Sequence, residues 1–272
     1  MKQSFFIAAK SARTYKPNFS SLFLRLLRPG IIGPIVLIAF WSLAHSAHWV
    51  TPRLLPGPLE TFYAFTQSVV DGGLWADFIR TVLRTVYSFL IAAAIGIPVG
   101  ITIGANTGIY RCVEFIIDFF RSTPATALFP LFLLIFGIGE ESKIAIAAFS
   151  ACLVILFNVA YGVMNARQTR ILAARVMGAS NWRILRDVLL YESLPQTFIG
   201  LRLGVSYALV VIIVAEMFIG SSVGMGHRII DAQQVYNLAE MYSSIIVTGC
   251  IGYLINLLFL LIERHFIKWS GK

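Results

Sequence analysis

The chain has 272 residues, of which 58% are hydrophobic and only 13% charged, and its mean hydropathy is +0.79. A water-soluble domain of this length needs far more polar surface, so the composition excludes that class and predicts an integral membrane protein. The formal net charge of +9 is interpreted as the Lys and Arg that membrane proteins concentrate in cytoplasmic segments, because no basic aromatic surface accompanies it to indicate nucleic-acid binding.

Long apolar runs predict the membrane spans. A span needs about 20 apolar residues to cross about 30 Å of hydrocarbon. Such runs occur at residues 31–50, 85–105, 120–138, 143–163, 198–220 and 243–263. The expected fold is therefore all-α, a polytopic bundle of about six transmembrane helices within residues 31–265. A basic tail at 1–30 precedes it and a short tail at 266–272 follows it. Residues 19–28 of the basic tail either form an amphipathic helix along the membrane surface or are flexible.

Lys and Arg are distributed unevenly among the segments that join these spans. With the N-terminus in the cytoplasm, the internal segments hold fifteen of these residues and the external segments five. Because cytoplasmic segments are enriched in Lys and Arg, both termini are predicted to be cytoplasmic. The chain is thus expected to be a multi-pass protein of the inner (plasma) membrane, in contact with lipid.

Two segments of the first half carry local signals. The Pro-rich stretch 51–58 must be irregular, because Pro lacks the donor that a helix requires, and residues 59–70 then predict a short external helix. In the second span, small residues recur every four positions, at Ala92, Gly96, Gly100 and Gly104. This face lets a neighbouring backbone approach closely. Packing inside one subunit is favoured over a contact between two copies.

The longest internal segment, residues 164–197, has the pattern of two short helices with a corner between them. Residues 169–177 predict the first helix, with Gly178 where the chain would enter a left-handed turn. Ser180 can cap a second helix over 181–191. Small side chains at the corner would let another protein approach the backbone, and arginines beside it would orient that protein electrostatically.

The end of this segment is marked by Leu194-Pro195, which is expected to break the chain before the fifth span. The segment as a whole is the expected docking site for a partner protein. The residues assigned to it are Ala173, Ala174, Arg175, Gly178, Ala179, Arg183, Arg186 and Pro195.

At these residues the chain resembles the permease subunits of ABC importers. Their cytoplasmic signature runs Glu-Ala-Ala, three residues, Gly, and then a stretch that ends in Leu-Pro. Ala173-Ala174, Gly178 and Leu194-Pro195 match this pattern. Leu172 stands where the family usually has Glu, and Tyr191 where many members have Pro.

Other segments are similar to the nitrate/sulfonate/taurine branch of that family. They are residues 130–143, 178–183, 200–204, 215–217 and 224–232. The resemblance extends over roughly residues 52–269 and implies the type I importer permease fold.

The resemblance implies a division of labour between several proteins. Two copies of such a permease form one path, cytoplasmic ABC ATPase subunits contact its loops, and a periplasmic or lipid-anchored binding protein delivers the solute. The solute expected for this branch is a small anion such as nitrate, a sulfonate or taurine, with bicarbonate, an aromatic carboxylate or a vitamin precursor as alternatives. Because the chain contains no GxxxxGK[ST] phosphate loop, it is expected to be non-catalytic, without a cofactor or metal, and to depend on ATP and Mg bound by the ATPase.

Arg202 and Glu216 are ionisable residues inside the predicted fifth span, where an unpaired charge costs a few kcal/mol. They are about 21 Å apart along a straight helix at 1.5 Å per residue, so they cannot pair directly. Both are candidates for the translocation path, where an arginine could neutralise an anion. The favoured alternative is structural: Arg202 would reach the inner interface, and Glu216 would bond a neighbouring helix near the outer one.

Two other classes of membrane protein fit the sequence less well. A stand-alone secondary transporter or channel would show paired ionisable residues at mid-membrane or an inverted repeat, and neither is found. A membrane-embedded enzyme would need a cluster of reactive side chains at one depth, but the histidines are scattered at positions 45, 48, 227 and 265.

Overall fold

The computed structural model of the chain describes residues 29–51 and 53–266. The basic tail and the C-terminal tail expected from the sequence lie almost wholly outside these residues. The chain divides into two compact units between Pro58 and Leu59.

Every regular element among the described residues is a helix, which confirms the expected all-α fold. The helices in chain order are α1 (Pro29–Ser46), α2 (Pro58–Val70), α3 (Gly73–Ala105), α4 (Thr107–Ser122), α5 (Phe129–Phe136), α6 (Glu140–Met164), α7 (Gln168–Val176), α8 (Asn181–Phe218), α9 (Met225–Gln234) and α10 (Leu238–Phe266). A 3-10 turn at Ala125–Leu128 leads into α5, and α8 contains a π-helical turn at Leu185–Leu189.

In the first unit, α1 is an apolar helix of 18 residues, somewhat shorter than the predicted span 31–50. Two of its side chains hold the Pro-rich segment that follows. The indole Nε1 of Trp41 donates to the carbonyl of Pro56 at 3.0 Å, and Nδ1 of His45 lies 2.8 Å from the carbonyl oxygen of Leu55. The segment that the sequence predicted to be irregular is thus fixed by side chains of the preceding helix.

The number of spans differs from the six that were predicted. Among the described residues, α3, α6, α8 and α10 are each long and apolar enough to cross a membrane. A fifth span results if α4 and the bent segment after it are counted together, and residues 32–46 of α1 form a shorter apolar stretch. The described part of the chain therefore holds four spans, or up to five.

The predicted span 120–138 is wrong as a single straight helix. It covers the junction of two helices, Thr107–Ser122 and Ala125–Phe136, which are bent by 95° at a short break. Thr123 has an extended backbone (φ −80°, ψ 124°), the conformation that a following proline favours. Pro124 therefore ends α4 inside an apolar run whose hydropathy alone indicated continuity.

The helix that contains the predicted span 85–105 begins much earlier, at Gly73. Its first turns carry Asp77, Arg80 and Arg84, which were expected in an external loop. Asp77 and Arg84 are each paired with an opposite charge, which compensates for their burial, so the helix continues through them.

The predicted break at Leu194-Pro195 is wrong, because α8 runs without interruption from Asn181 to Phe218. A proline removes one helical hydrogen bond, and packed neighbours can satisfy the freed carbonyl. The irregularity lies earlier, in the π-helical turn, where the amide of Leu190 donates to the carbonyl of Leu185. The predicted second helix over 181–191 is therefore the first part of a much longer one.

The small-residue face of α3 packs against α6 of the same chain. At three glycines, an added Cβ would lie within 3.1 Å of a carbonyl oxygen of α6. The pairs are Gly96 with Cys152, Gly100 with Leu156, and Gly104 with Ala160. Their constant separation along the chain shows that the two helices run parallel. The interpretation as packing inside one subunit is confirmed.

The helix α8 packs antiparallel to α6 on small residues of both. A Cβ added at Gly162 would meet Ser193, and one at Gly200 would lie 2.6 Å from the Asn158 side chain. Gln196 also donates to the amide oxygen of Asn158 at 2.9 Å. The core of the second unit thus consists of α3, α6 and α8. At one end of this core, called the loop end, α3 and α6 end and α7 begins. At the opposite end α3 and α6 begin and α8 ends, and this end is called the cluster end because charged side chains gather there.

Candidate functional site

The first candidate site is the corner between α7 and α8 at the loop end. Gly178 has a φ of +77°, the left-handed conformation that the sequence predicted. A backbone bond from the amide of Ala179 to the carbonyl of Ala174 (3.0 Å) closes α7 in the manner of a Schellman motif. The hydroxyl of Ser180 accepts a bond from the amide of Arg183 (3.4 Å), the predicted N-cap. The chain's own bonds therefore define the corner.

This corner presents both apolar and basic side chains at its surface. The large apolar ones, each more than half exposed, are Leu172, Val176, Met177 and Trp182. The exposed basic ones are Arg175, Arg183 and Arg186. The sequence analysis identified the arginines but missed Val176 and Met177, which are 89% and 80% exposed. The signal that could have found them is a pair of apolar residues in the last turn of a short helix that faces no predicted span.

The residues predicted for the docking segment do not all lie together. Ala173 and Gly178 are exposed at the corner, and Ala179 is half-buried beside them. Ala174 is only 7% exposed, so it packs inside the chain and is not free to contact a partner. Pro195 lies within α8, 14 residues beyond its first residue and about 21 Å along the axis.

The second candidate site is a buried ion cluster at the cluster end, centred on Glu216 of α8. The carboxylate of this fully buried side chain accepts hydrogen bonds from the hydroxyl of Thr81 (2.9 Å), from Nη1 of Arg84 (2.6 Å) and from the amide of Gly226 (2.9 Å). Burying a charge is costly unless it is paired and hydrogen-bonded, and here it is both. Glu216 thus ties α3 and α8 to the first turn of α9.

Arg84 extends the cluster from Glu216 to α6. Its Nε and Nη2 donate to the two carboxylate oxygens of Glu140 at 2.6 and 2.5 Å, a bidentate pair. Its Nη1 also donates to the carbonyl of Val223 at 2.7 Å. The buried ammonium of Lys143 lies 3.9 Å from the same Glu140 carboxylate. Two basic and two acidic side chains therefore balance each other where the three core helices meet.

A second ion network joins the surrounding helices at the cluster end. Arg228 of α9 pairs with Asp77 of α3 (3.1 Å) and Glu240 of α10 (2.6 Å), and it donates to the hydroxyl of Ser68 in α2 (2.9 Å). Asp77 in turn accepts a bond from the amide of Gly224 at 2.8 Å. Four helices are thus held by polar contacts in addition to apolar packing.

An open recess of about 730 Å³ lies beside this network, between α2 and the start of α10. Its charged lining residues are Glu60, Asp71, Arg228 and Glu240. Three of these four residues are acidic, and one of the three, Glu240, is paired with Arg228. Within residues 29–51 and 53–266, no group of three or more His, Cys, Asp and Glu side chains is placed to hold a metal ion.

The two charges that were candidates for the translocation path have separate partners. Nη1 of Arg202 lies 3.8 Å from the carboxylate of Glu263 in α10, and both side chains are less than one third exposed. Glu216 belongs to the buried cluster, as expected of a group that bonds a neighbouring helix. The two residues do not pair with each other, and a contact of either one with solute stays a prediction.

Residues 96–271 of the chain match the family described as "Binding-protein-dependent transport system inner membrane component". The match covers more than half of the chain and includes the whole α7–α8 corner. The chain belongs to this family. It is a permease subunit of a binding-protein-dependent importer and a multi-pass inner membrane protein.

Relatives of this permease are themselves named as transport permeases. The putative aliphatic sulfonates transport permease protein SsuC of Escherichia coli (strain K12) is 32% identical over 237 residues, which are 87% of this chain and 90% of that protein. Its namesake from Bacillus subtilis (strain 168) is 29% identical over 89% of this chain and 88% of that protein. The taurine transport system permease protein TauC of Escherichia coli (strain K12) is 28% identical over 87% and 88%. They confirm the resemblance to the sulfonate/taurine branch.

A solved structure of the MetNI methionine ABC transporter in an inward facing conformation contains a chain of similar fold. The TM-score is 0.62 and the sequence identity 25%, over 72% of this permease and 95% of that chain. The expected type I importer permease fold is therefore confirmed. Permeases of ABC importers work with ATPase and solute-binding partners, so this permease has partners of both kinds.

Proposed function

We propose that two copies of this permease form the translocation path of an importer for a small anion of the sulfonate or taurine kind. A separate ABC ATPase, which binds ATP and Mg, docks on the α7–α8 corner. The loop end lies in the cytoplasm together with both termini, and the cluster end faces the external binding protein. The chain itself supplies neither a catalytic group nor a cofactor.

The observation that carries this proposal is the shape and surface of the corner at Gly178. The side chains of Val176 and Met177 are almost fully exposed next to Arg175 and Arg183. Exposed apolar side chains with basic neighbours are typical of a protein interface, in which apolar contacts supply affinity and charges supply orientation. The five arginines of the predicted internal segment 164–197 support its cytoplasmic location.

The solute class is supported by the names of relatives. Two of the relatives described above are named for aliphatic sulfonates and one for taurine. A riboflavin transport system permease protein, RibX of Chloroflexus aurantiacus, is also 29% identical over 88% of this chain, so a vitamin is the second candidate solute. Taurine and riboflavin uptake, measured with the matching binding protein, separates the two.

The docking proposal is tested by the replacement Gly178→Leu. A Cβ added at this glycine meets no atom of the chain within 4 Å, so the added side chain points into open space where a docked partner would lie. The left-handed φ strains a leucine by about 1–2 kcal/mol, and Gly178→Asn controls for this because asparagine tolerates that conformation. We expect the leucine variant to insert normally but to lose at least about tenfold in solute transported per ATP hydrolysed, and the asparagine variant to keep most of it.

The measurement is uptake of radiolabelled taurine and release of phosphate by proteoliposomes that contain the permease and its ATPase, with binding protein added outside. Normal uptake by the Gly178→Leu variant would contradict docking at the corner. Uptake that needs no ATPase would contradict the proposed function as a whole.

A further inference from the structure

A side-chain contact joins α7 to α8 in addition to the covalent corner. Arg170 of α7 forms an ion pair with Glu192 of α8. The arginine side chain is 57% exposed, whereas the glutamate side chain is only 13% exposed. The carboxylate is therefore held in place by the packing of α8, and the arginine reaches it from the surface.

The two ends of this ion pair lie on opposite sides of the π-helical turn Leu185–Leu189. A π turn interrupts the α-helical hydrogen-bond pattern, and such turns are common at functional sites and at bends in helices. Along the chain, a displacement of the Gly178 corner reaches the membrane span of α8 only through this turn. The backbone route from corner to span thus passes through a turn of α8 whose hydrogen-bond pattern departs from the α-helix.

The ion pair provides a route that avoids the π turn. Glu192 lies three residues beyond its end, and α8 then continues without interruption to Phe218. Arg170 therefore connects α7 directly to this part of the helix. Rigid elements joined by specific contacts are the physical means by which displacement passes between distant sites.

We propose that Arg170 and Glu192 are positioning residues that transmit movement of α7 to the membrane span of α8. The inference rests on the proposed function, because it takes α7 to be the element that the ATPase displaces. It assigns to the pair a role that the docking residues do not have. The corner binds the partner, and the ion pair determines whether partner movement reaches the transport path.

The test uses the complete importer in proteoliposomes and measures solute taken up per ATP hydrolysed. Each of the reversals Arg170→Glu and Glu192→Arg is expected to lower this ratio about tenfold, within the range typical of coupling between sites. ATPase binding and ATP hydrolysis continue in both variants, because the docking corner is unchanged. The double variant Arg170→Glu/Glu192→Arg restores the attraction and is expected to recover a ratio within about twofold of the unaltered importer.

Two further variants test whether a lower ratio could come from misfolding or from a change in surface charge instead of lost transmission. Arg170→Lys keeps the positive charge and should keep most of the ratio, which shows that an altered position 170 still folds. Glu114→Arg reverses an exposed carboxylate of α4 and should leave the ratio unchanged. Single reversals with a normal ratio, or a double variant no better than the single ones, would overturn the inference. In either case ATP-driven uptake by the unaltered importer would leave the proposed function standing.

Discussion

The two ends of the second unit are stabilised in different ways. At the cluster end, Arg84, Glu216 and Glu140 bring charged groups of three helices together, and Arg228 joins three more elements to them. At the loop end, the core helices meet on small residues, and the corner at Gly178 is held by a cap, a turn and the single ion pair between Arg170 and Glu192. One end is fixed by partners inside the chain, and the other leaves its apolar and basic side chains exposed.

This difference suggests which parts of the permease move as one body. Buried ion pairs with several hydrogen bonds are expensive to separate, because each partner would be left charged in a poorly hydrated site. Close backbone contact along α3 and α6 likewise permits little sliding. The core should therefore move as a rigid unit, while the corner, which depends on few internal contacts, adapts to its partner.

The largest expected effect comes from breaking the cluster with Arg84→Leu. The change leaves the Glu216 carboxylate buried without its cation, so we expect the free energy of unfolding to fall by about 3–5 kcal/mol. Unfolding of the purified permease in mild detergent, followed by circular dichroism, provides the measurement. The exposed Arg80 is a matched control, and Arg80→Leu should cost less than about 0.5 kcal/mol.

A second variant at the same site distinguishes charge from shape. Combining Arg84→Leu with Glu216→Leu removes both partners of this buried ion pair, and we expect the double variant to regain more than half of the lost stability. Equal losses for Arg84→Leu and Arg80→Leu would show that the cluster does not hold the core together.

An intermediate effect is expected from Gly104→Ala, near the loop end of the core. The added methyl group would lie 2.6 Å from the carbonyl oxygen of Ala160, and a backbone atom cannot move aside as a flexible side chain can. We expect a loss of about 2 kcal/mol in the free energy of unfolding, as for overpacking elsewhere. Gly249→Ala in α10 is the control, since nothing lies within 4 Å of it and alanine favours a helix by about 0.5–1 kcal/mol. A Gly104→Ala protein as stable as the control would mean that the two backbones are less tightly packed than described.

At the loop end, the features that depend only on residues close together in the sequence could be predicted. The left-handed turn at Gly178 and the cap at Ser180 follow from local backbone chemistry, and both are present. The small-residue face of α3 followed from helical spacing. Apolar runs likewise identified the long helices. They did not reveal the bend at Pro124, because mean hydropathy does not register that a proline lacks the backbone N–H donor.

The cluster end could be predicted only in part. The sequence indicated that Glu216 bonds a neighbouring helix, but it did not identify Arg84, which is 132 positions away along the chain. Such pairs depend on which helices are adjacent and on their relative register, and no local pattern specifies either. The pairing of Arg170 with Glu192 escaped for the same reason, because the two residues lie on different helices, α7 and α8.

The smallest expected effect concerns the cap at the start of α8. Ser180→Ala removes a cap whose hydrogen bond is long, at 3.4 Å, so we expect a loss of only about 0.5 kcal/mol. Hydrogen exchange of the amides at residues 181–184 should become about twofold faster, while exchange in the core stays unchanged.

Thr66→Ala is the control, because that hydroxyl bonds a carbonyl of its own helix and caps nothing. If the cap variant also accelerated exchange in α6, the corner and the core would unfold together, and the contrast between the two ends would not hold. If the ATPase docks as proposed, its addition should slow exchange at 181–184 in both the variant and the unaltered permease, because the partner then supplies the order that the corner's own bonds supply only weakly.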